Sequence, residues 1–206
     1  MKILDVKSLV LPDVKLITYH HFTDERGYFT ETFRQSDLTK VIPSFKVKQV
    51  NESFSKKGVL RGFHFQWDPY MAKLVRVING KIIDFFLDIR LGSPTFGKIS
   101  GYELSSQPTA SKNEWIYIPI GFAHGILAVD HSDIEYLCTS EYAPGNEAGI
   151  LPASPDIDWS LTDKKLVEIF QKTIKNPVMS NKDKNSINFK DWIKDPRRKN
   201  FVYGKV

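Results

Sequence analysis

The sequence has little of several features that would place it in a particular class of protein. It contains a single cysteine, Cys138, in 206 residues, so no internal disulfide can form. A low cysteine content is typical of proteins in a reducing cytosol. No apolar run approaches the roughly 20 residues of a membrane-spanning helix, because Asp84 and Asp88 interrupt the longest one. The N-terminus resembles no signal peptide. We therefore expect a cytoplasmic protein with no membrane partner.

The chain also lacks the signals of nucleotide-cofactor and nucleic-acid binding. It has no glycine-rich phosphate loop and no alternation of strands with long helices, which argues against a dinucleotide-binding fold. Lys and Arg number 29 against 24 Asp and Glu, a net charge of +5. This excess suits an anionic ligand, but it is too small and too dispersed to indicate a nucleic-acid partner.

Short alternating or apolar runs, separated by turn residues, fill most of the chain. The clearest runs are 14–19, 46–50, 73–78, 81–89 and 114–118. Many short strands at this spacing predict an all-β sandwich or barrel. Asn79–Gly80 lies between two of the runs and predicts a hairpin, because both residues tolerate a positive φ.

Two helices are predicted, a short one at 36–41 and a second one after the last strand. The second has an apolar face formed by Leu166, Ile169, Phe170 and Ile174. Their spacing is helical, and Asn176–Pro177 ends the pattern. From Ser180 onward the polar sequence predicts a looser tail. We therefore divide the chain into a barrel at 1–159 and a helical and polar extension at 160–206 that packs on it.

Two histidines lie in tight, turn-bounded segments, His64 in 58–66 and His124 in 119–125. A double-stranded β-helix of the cupin type places two such segments on adjacent strands with both side chains inward. Metal-binding cupins usually supply a His-x-His pair and a glutamate, whereas here His64 is followed by Gln66, with Lys73 downstream. An ammonium group repels a cation and two histidines make a poor site, so we expect no metal.

A barrel lined by His, Lys, Arg, Tyr and Asp suits acid–base chemistry without a metal. Histidine can accept a carbon-bound proton near neutral pH, and a carboxylate behind it stabilises the imidazolium. A cation beside a carbonyl oxygen stabilises the enolate that forms. A tyrosine on the opposite face of the substrate can return a proton there, which inverts the carbon.

The motifs together resemble the dTDP-4-dehydrorhamnose 3,5-epimerase family, from about Val14 to Trp159 and again at 180–183. They are found at 24–31, 49–51, 58–66, 73–77, 84–90, 93–97 and 119–125. The resemblance implies a nucleotide-diphosphate sugar with a 4-keto-6-deoxyhexose, epimerisation without a cofactor, and a homodimer that exchanges N-terminal strands.

The resemblance also implies residue roles. His64 falls on the proton acceptor, Tyr136 on the proton donor, Lys73 near the sugar ketone and Asp183 on the carboxylate paired with the base. Apart from the resemblance, we expect Asp84 to neutralise Lys73, which is a supporting role. The positions that match substrate-binding residues are Arg26, Glu31, Gln49, Asn51, Arg61, His124, Glu147 and Lys182. Tyr142 matches the residue that stacks on the base, and Phe29 is expected to contact a nucleotide bound by the partner.

Two departures from the family leave alternatives open. Glu141 stands where the family usually has a tyrosine beside the sugar, and 160–178 reads as an insertion. A carboxylate there would oppose the enolate charge, so an enzyme acting only at C3 or only at C5 remains an alternative, as does a CDP- or GDP-linked sugar. A 3,4-ketoisomerase and a non-catalytic sugar-binding cupin are further alternatives. The last would require the base or the donor to be missing, and His64 and Tyr136 are both present.

Overall fold

The computed structural model describes residues 1–106 and 112–206, which form antiparallel strands flanked by short helices. The strands are β1 Ile3–Ser8, β2 Lys15–His20, β3 Phe22–Asp24, β4 Gly27–Phe29, β5 Gln49–Ser55, β6 Leu60–Gln66, β7 Lys73–Asn79, β8 Lys81–Asp88, β9 Ile99–Ser105, β10 Lys112–Ile118, β11 Phe122–Ala128, β12 Ser132–Cys138 and β13 Glu147–Gly149. The helices are α1 Gln35–Val41, α2 Lys164–Thr173, α3 Asn181–Lys184 and α4 Phe189–Trp192, followed by a 3₁₀ helix at Pro196–Asn200.

Two sheets form the barrel. One has six strands in the order β1-β2-β10-β7-β12-β5, and the other has five in the order β13-β6-β11-β8-β9. Strands β3 and β4 form a separate exposed hairpin. This is the all-β architecture that the short alternating runs predicted.

Three apolar clusters hold the layers together. The first lies between the two sheets, the second covers the outer face of the six-stranded sheet with α1, and the third joins the outer face of the five-stranded sheet to α2 and α4. Strand β8 is buried on both faces, because Ile82 and Phe86 belong to the inner cluster while Ile83 and Phe85 belong to the outer one. Its nearly continuous apolar sequence reflects this double burial.

The hairpin predicted at Asn79–Gly80 is wrong. The chain does turn there, with Gly80 at φ +86°, but β7 pairs with β10 and β12 while β8 pairs with β9 and β11 in the other sheet. A Cβ at Gly80 would lie 2.1 Å from the carbonyl oxygen of His131, so the position accepts only glycine. The turn is therefore a corner between sheets.

The predicted helices are confirmed, and the looser tail is wrong. Helix α2 is capped by Asp163, which accepts a hydrogen bond from the Lys165 amide. Beyond Ser180 the chain forms short helices. Three of its aromatic side chains are fully or almost fully buried, Phe189, Trp192 and Phe201, whereas Tyr203 is 47% exposed. The three buried side chains share a core with the barrel, and the division at 160 stays a prediction. Within the described ranges, no helix is long and apolar enough to cross a membrane.

Candidate active site

The barrel interior receives every second side chain of the strands around it. On β8, Asp84 lies between Ile82 and Phe86, which both belong to the cluster between the sheets. His124 on β11 and Lys73 on β7 follow the same alternation with their apolar neighbours. Three polar side chains therefore enter an otherwise apolar interior from three strands.

Strands β6 and β11 approach each other closely beside the histidines. Gly62 has φ +108°, and a Cβ on it would lie 2.6 Å from Gly125 Cα. A larger residue would push the strands apart. Two residues beyond Gly62, His64 is directly paired with His124 across the strands. The predicted neighbouring arrangement of the two imidazoles is confirmed.

His64 is paired with Asp183, which reaches it from α3. His64 Nε2 lies 2.5 Å from Asp183 Oδ1, and the two side chains are 31% and 5% exposed. Burial alone would raise the pKa of Asp183, but hydrogen bonds from His64, Ser180 and the Gly62 backbone lower it. The ring thus meets the cavity while an ionised carboxylate is held behind it, an arrangement that stabilises an imidazolium.

A second histidine–carboxylate pair lies beside the first. His124 Nε2 is 2.5 Å from Asp84 Oδ1, and Lys73 Nζ is 3.5 Å from His124 Nδ1. Asp84 was expected to neutralise Lys73, but its hydrogen bond goes to His124, and its charge acts on Lys73 across the ring. Burial lowers the pKa of His124 and that of Lys73, and in both cases the Asp84 charge opposes the shift.

A cavity of about 350 Å³ opens over these pairs. It is lined by Gln49, Asn51, His64, Phe65, Gln66, Met71, Lys73, Tyr136, Cys138, Tyr142, Glu147 and Lys182. A smaller cavity of about 100 Å³, lined also by Arg61 and His124, shares His64, Lys73 and Tyr136 with it. The predicted base, cation and proton donor therefore meet in one place, where Asp183 joins them through His64.

Tyr136 and Cys138 enter the cavity from β12, two residues apart. Burial raises the pKa of Tyr136, so its hydroxyl stays protonated at neutral pH. Burial also raises the pKa of the Cys138 thiol, which accepts a hydrogen bond from Asn51 Nδ2 at 3.7 Å. The phenol can donate a proton, and the thiol is a poor nucleophile.

Three side chains form a hydrogen-bonded group at the mouth of the cavity. Glu147 Oε1 accepts hydrogen bonds of 2.5 Å from the Tyr142 hydroxyl and from Lys182 Nζ. The same ammonium lies 5.7 Å from the centre of the Tyr142 ring, which is half exposed. Gln49 fixes the loop, because its Oε1 accepts from the Tyr142 amide at 2.8 Å. An exposed ring beside a lysine can stack on a base next to a phosphate.

Arg61 spans the gap between the sheets at the smaller cavity. Its Nε donates to Ser55 Oγ at 2.9 Å and its Nη2 donates to the Phe54 carbonyl at 3.0 Å, both on β5. Arg61 also lines the smaller cavity, so it brings a positive charge close to that cavity.

The structure does not bring Arg26, Phe29 and Glu31 to this cavity. Arg26 lies in the turn of the β3–β4 hairpin and pairs with Asp24 at 2.6 Å. Phe29 is 69% exposed, and it lines a separate groove of about 400 Å³ with Glu31, which contacts the Met1 ammonium group. Within one chain these predicted ligand residues form a different surface.

Glu141 also lies outside the cavity lining, although its neighbour Tyr142 is part of it. The Glu141 side chain is exposed, and its backbone carbonyl accepts a hydrogen bond from Gln66 Nε2 at 3.0 Å. Glu141 therefore does not line this cavity, and its proximity to the sugar stays a prediction.

Sequence reasoning missed four lining residues: Phe65, Gln66, Met71 and Cys138. Two of them carried a usable signal, because Gln66 follows His64 by two residues and Cys138 follows Tyr136 by two. A period of two places such pairs on one face of a strand. Among the residues that the structure describes, no group of three or more His, Cys, Asp or Glu side chains could hold a metal ion.

Comparison with known proteins agrees with this geometry. Residues 8–191 match the model of the dTDP-4-dehydrorhamnose 3,5-epimerase family, a range that includes 160–178. The family's enzyme from Methanothermobacter thermautotrophicus is 38% identical over 203 residues, which cover 97% of this chain and 94% of that protein. The enzyme from Neisseria gonorrhoeae is 38% identical over 91% of this chain, which spans 56% of that longer protein.

A solved structure gives the same answer. The dTDP-6-deoxy-D-glucose 3,5-epimerase of Legionella pneumophila, in complex with dTDP-4-keto-L-rhamnose, matches with a TM-score of 0.76 and 33% identity, covering 89% of this chain and 92% of that one. These findings confirm the predicted double-stranded β-helix and the prediction of an isomerase that epimerises a nucleotide-linked sugar. The chain belongs to the dTDP-4-dehydrorhamnose 3,5-epimerase family.

Proposed function

We propose that the cavity binds a dTDP-linked 4-keto-6-deoxyhexose and that its side chains invert C3 and C5 of that sugar. One observation carries the proposal: the His64–Asp183 pair, 2.5 Å apart, lies in a cavity that Lys73 and Tyr136 also line. The dTDP-sugar in the Legionella structure supports this class of ligand.

The first step is removal of a proton from the carbon beside the ketone. His64 takes the proton, and the electron pair of the C–H bond moves onto the ketone oxygen to form an enolate. The Asp183 carboxylate, kept ionised by its hydrogen bonds, stabilises the imidazolium that results.

Lys73 is placed to stabilise the enolate oxygen. Its ammonium group lies 3.5 Å from His124 Nδ1; burial lowers the pKa of the lysine, and the charge of the nearby Asp84 carboxylate opposes that shift. A fixed cation in a site sheltered from water stabilises a developing oxyanion strongly.

Tyr136 returns a proton to the opposite face of the sugar. It projects from β12 in the six-stranded sheet, whereas His64 projects from β6 in the five-stranded sheet. A hexose between the sheets therefore has the base on one side and the phenol on the other. Transfer from the Tyr136 hydroxyl to the enolate carbon leaves the centre inverted.

In this proposal the nucleotide binds at the mouth of the cavity. Tyr142 offers a half-exposed ring for stacking on the base, and Gln49 and Asn51 line the same opening. Lys182 and Arg61 supply positive charge for the diphosphate, which matches the small basic excess of the chain.

The test is exchange of solvent deuterium into dTDP-4-keto-6-deoxyglucose, followed by NMR at each carbon. We expect exchange at C3 and C5, and a loss of about 10²–10⁴-fold in His64→Asn, since that is the usual contribution of a general base. His131→Asn is the matched control, because His131 is exposed and stacks on Phe54 outside the cavity.

Four outcomes would contradict the proposal. Exchange at C3 alone or C5 alone would indicate a single-centre enzyme, and preference for a CDP- or GDP-linked ketohexose would change the nucleotide. Movement of the carbonyl to C3 would indicate a ketoisomerase. Exchange in His64→Asn equal to that in wild type would remove His64 as the base.

We further propose a homodimer in which the N-terminal segment completes the partner's site. Arg26 and Phe29 match ligand-binding positions by resemblance, yet they lie on an exposed hairpin away from the chain's own cavity. Exposed aromatic side chains on that hairpin, Phe22 and Tyr28 as well as Phe29, are suited to burial by a second copy.

Mixing two inactive variants tests this proposal. A mixed dimer contains one Arg26→Ala chain and one His64→Asn chain. One of its two sites then combines the intact His64 of the first chain with the intact Arg26 of the second. Random mixing should therefore recover about one quarter of wild-type activity. If Arg26 acts within its own chain, no mixed site is intact and activity stays absent. Light scattering gives the oligomeric state in parallel.

We also propose a cytoplasmic location. The single cysteine is buried, and its thiol has no disulfide partner. Fractionation of the native host should recover the protein in the cytoplasmic fraction. Recovery with the membrane or the periplasm would contradict the proposal.

A further inference from the structure

We propose that Ser180 is a positioning residue for the base, because its hydroxyl holds the Asp183 carboxylate in the orientation that keeps Asp183 on His64. This inference rests on the proposed role of His64 as the proton acceptor. Ser180 lies behind Asp183, so it acts through that residue.

The Ser180 hydroxyl makes two hydrogen bonds to the same residue. Its Oγ accepts from the Asp183 amide at 3.1 Å, which starts helix α3, and donates to Asp183 Oδ2 at 2.9 Å. The other carboxylate oxygen, Oδ1, lies 2.5 Å from His64 Nε2. Each oxygen therefore has its own side-chain partner, and the plane of the carboxylate is fixed by both.

The segment before Ser180 is fixed to the barrel by its backbone. Val178 accepts from the Leu60 amide at 3.0 Å and donates to the Gly58 carbonyl at 3.3 Å, beside the strand that carries His64. This bridge fixes the backbone of α3 but does not set the last torsion of the Asp183 side chain. That torsion has a broad energy profile, so hydrogen bonds to the carboxylate select its orientation. The His64 ring and the Gly62 backbone supply two of them, and the Ser180 hydroxyl supplies the one on Oδ2.

Other charged or titratable groups surround the His64–Asp183 pair. They are Lys73 on β7, His124 on β11, Tyr136 on β12, Glu147 on β13, Arg61 on β6 and Lys182 on α3. Among the described residues, the Ser180 hydroxyl bonds to Asp183 and to none of these groups, so a Ser180 variant acts first on the His64–Asp183 pair.

The experiment measures deuterium exchange and kcat for Ser180→Ala across pH. We expect kcat to fall about 10- to 100-fold with little change in KM, the range for losing a hydrogen bond to a charged group. Without the hydroxyl donor the carboxylate is less well stabilised, so the proton affinity of the pair rises. The acid limb of kcat/KM should move to higher pH.

Three further variants separate positioning from folding. Ser180→Thr retains the hydroxyl and should recover both kcat and the pH limb. Glycine is tolerated at the N-terminal cap of a helix but has no hydroxyl. Ser180→Gly should therefore show the same loss of kcat as Ser180→Ala, even if the alanine variant folds poorly. Ser186→Ala is the matched control, because its hydroxyl donates to the Lys182 carbonyl and has no bond to Asp183.

Lower thermal stability in Ser180→Ala and Ser180→Gly, with kcat and the acid limb as in wild type, would overturn the inference and leave Ser180 a helix cap only. The proposed function would survive that result if Asp183→Asn and His64→Asn still lose exchange. If those two variants exchange as fast as wild type, the proposed base itself is wrong.

Discussion

The buried Asp84 offers the sharpest test of how Lys73 works. The carboxylate has no exposed side-chain surface, and only the His124 ring separates it from the lysine. Burial lowers the pKa of Lys73, and the charge of Asp84 opposes that shift. We predict that Asp84→Asn lowers the pKa of Lys73 further, because the opposing charge is gone while the shape of the side chain is kept.

The magnitude follows from the geometry. The contacts of 3.5 Å and 2.5 Å on either side of the ring place the ammonium and the carboxylate roughly 8 Å apart, where an effective dielectric constant of about 20 gives about 2 kcal/mol. The protonated lysine is the active form, so the basic limb of kcat should move to lower pH. Burial raises the pKa of Tyr136, so the phenol does not titrate in the pH range of this limb.

The assay is kcat against pH by deuterium exchange, with Asp88→Asn as the matched control. Asp88 lies four residues along the same strand and is equally buried, but its carboxylate is bound by Arg90, Ser93 and Thr95. The control should lose stability without moving the basic limb. An unshifted limb in Asp84→Asn, with wild-type kcat at high pH, would refute the account of Lys73 as a charged catalyst.

Three other substitutions test separate parts of the site. Tyr136→Phe should retain exchange into recovered substrate, because His64 can return the proton on its own face, but it should lose inverted product by NMR; full inversion would exclude the phenol as donor. Asp183→Asn should lower the free energy of unfolding by about 1–3 kcal/mol. Since the folded pKa of Asp183 is lowered, that difference should be complete above the unfolded value near 4 and be lost as the pH falls through the lower folded value, as measured by urea unfolding. Glu141→Tyr should leave the ratio of C3 to C5 exchange unchanged, because the side chain is exposed outside the cavity; a changed ratio would place it at the sugar.

Much of the site could be predicted, because strand alternation and the order of the motifs determine which side chains enter the barrel. His64 and His124 lie in segments that a double-stranded β-helix must place side by side, and they are directly paired across β6 and β11. The Asn79–Gly80 signal failed for the opposite reason. It reports the local turn, whereas pairing is decided by distant strands that occupy both edges of β7 and of β8.

The segment after Ser180 shows a second case in which average polarity predicts the wrong structure. Its many charged residues indicated a loose segment, but Phe189 and Trp192 are three residues apart and both enter the core that α2 also covers. A few aromatic side chains outweigh a polar average, because each one removes a large apolar area from water. The compact tail matters for function, since α3 carries Asp183 to the base.

Glu141 shows that a motif can identify a residue near the site without predicting the direction of its side chain. Gln66 holds the loop on both sides of it, since Nε2 donates to the Glu141 carbonyl and Oε1 accepts from the Ala143 amide, each at 3.0 Å. With the backbone fixed at these points, adjacent side chains leave it in different directions, and Tyr142 faces the cavity while Glu141 faces solvent. Gln66, which fixes this loop, lies 75 positions earlier in the chain. Comparing position 141 with a family pattern gives its place along the loop, whereas the direction of its side chain depends on a loop conformation that a distant residue helps to hold.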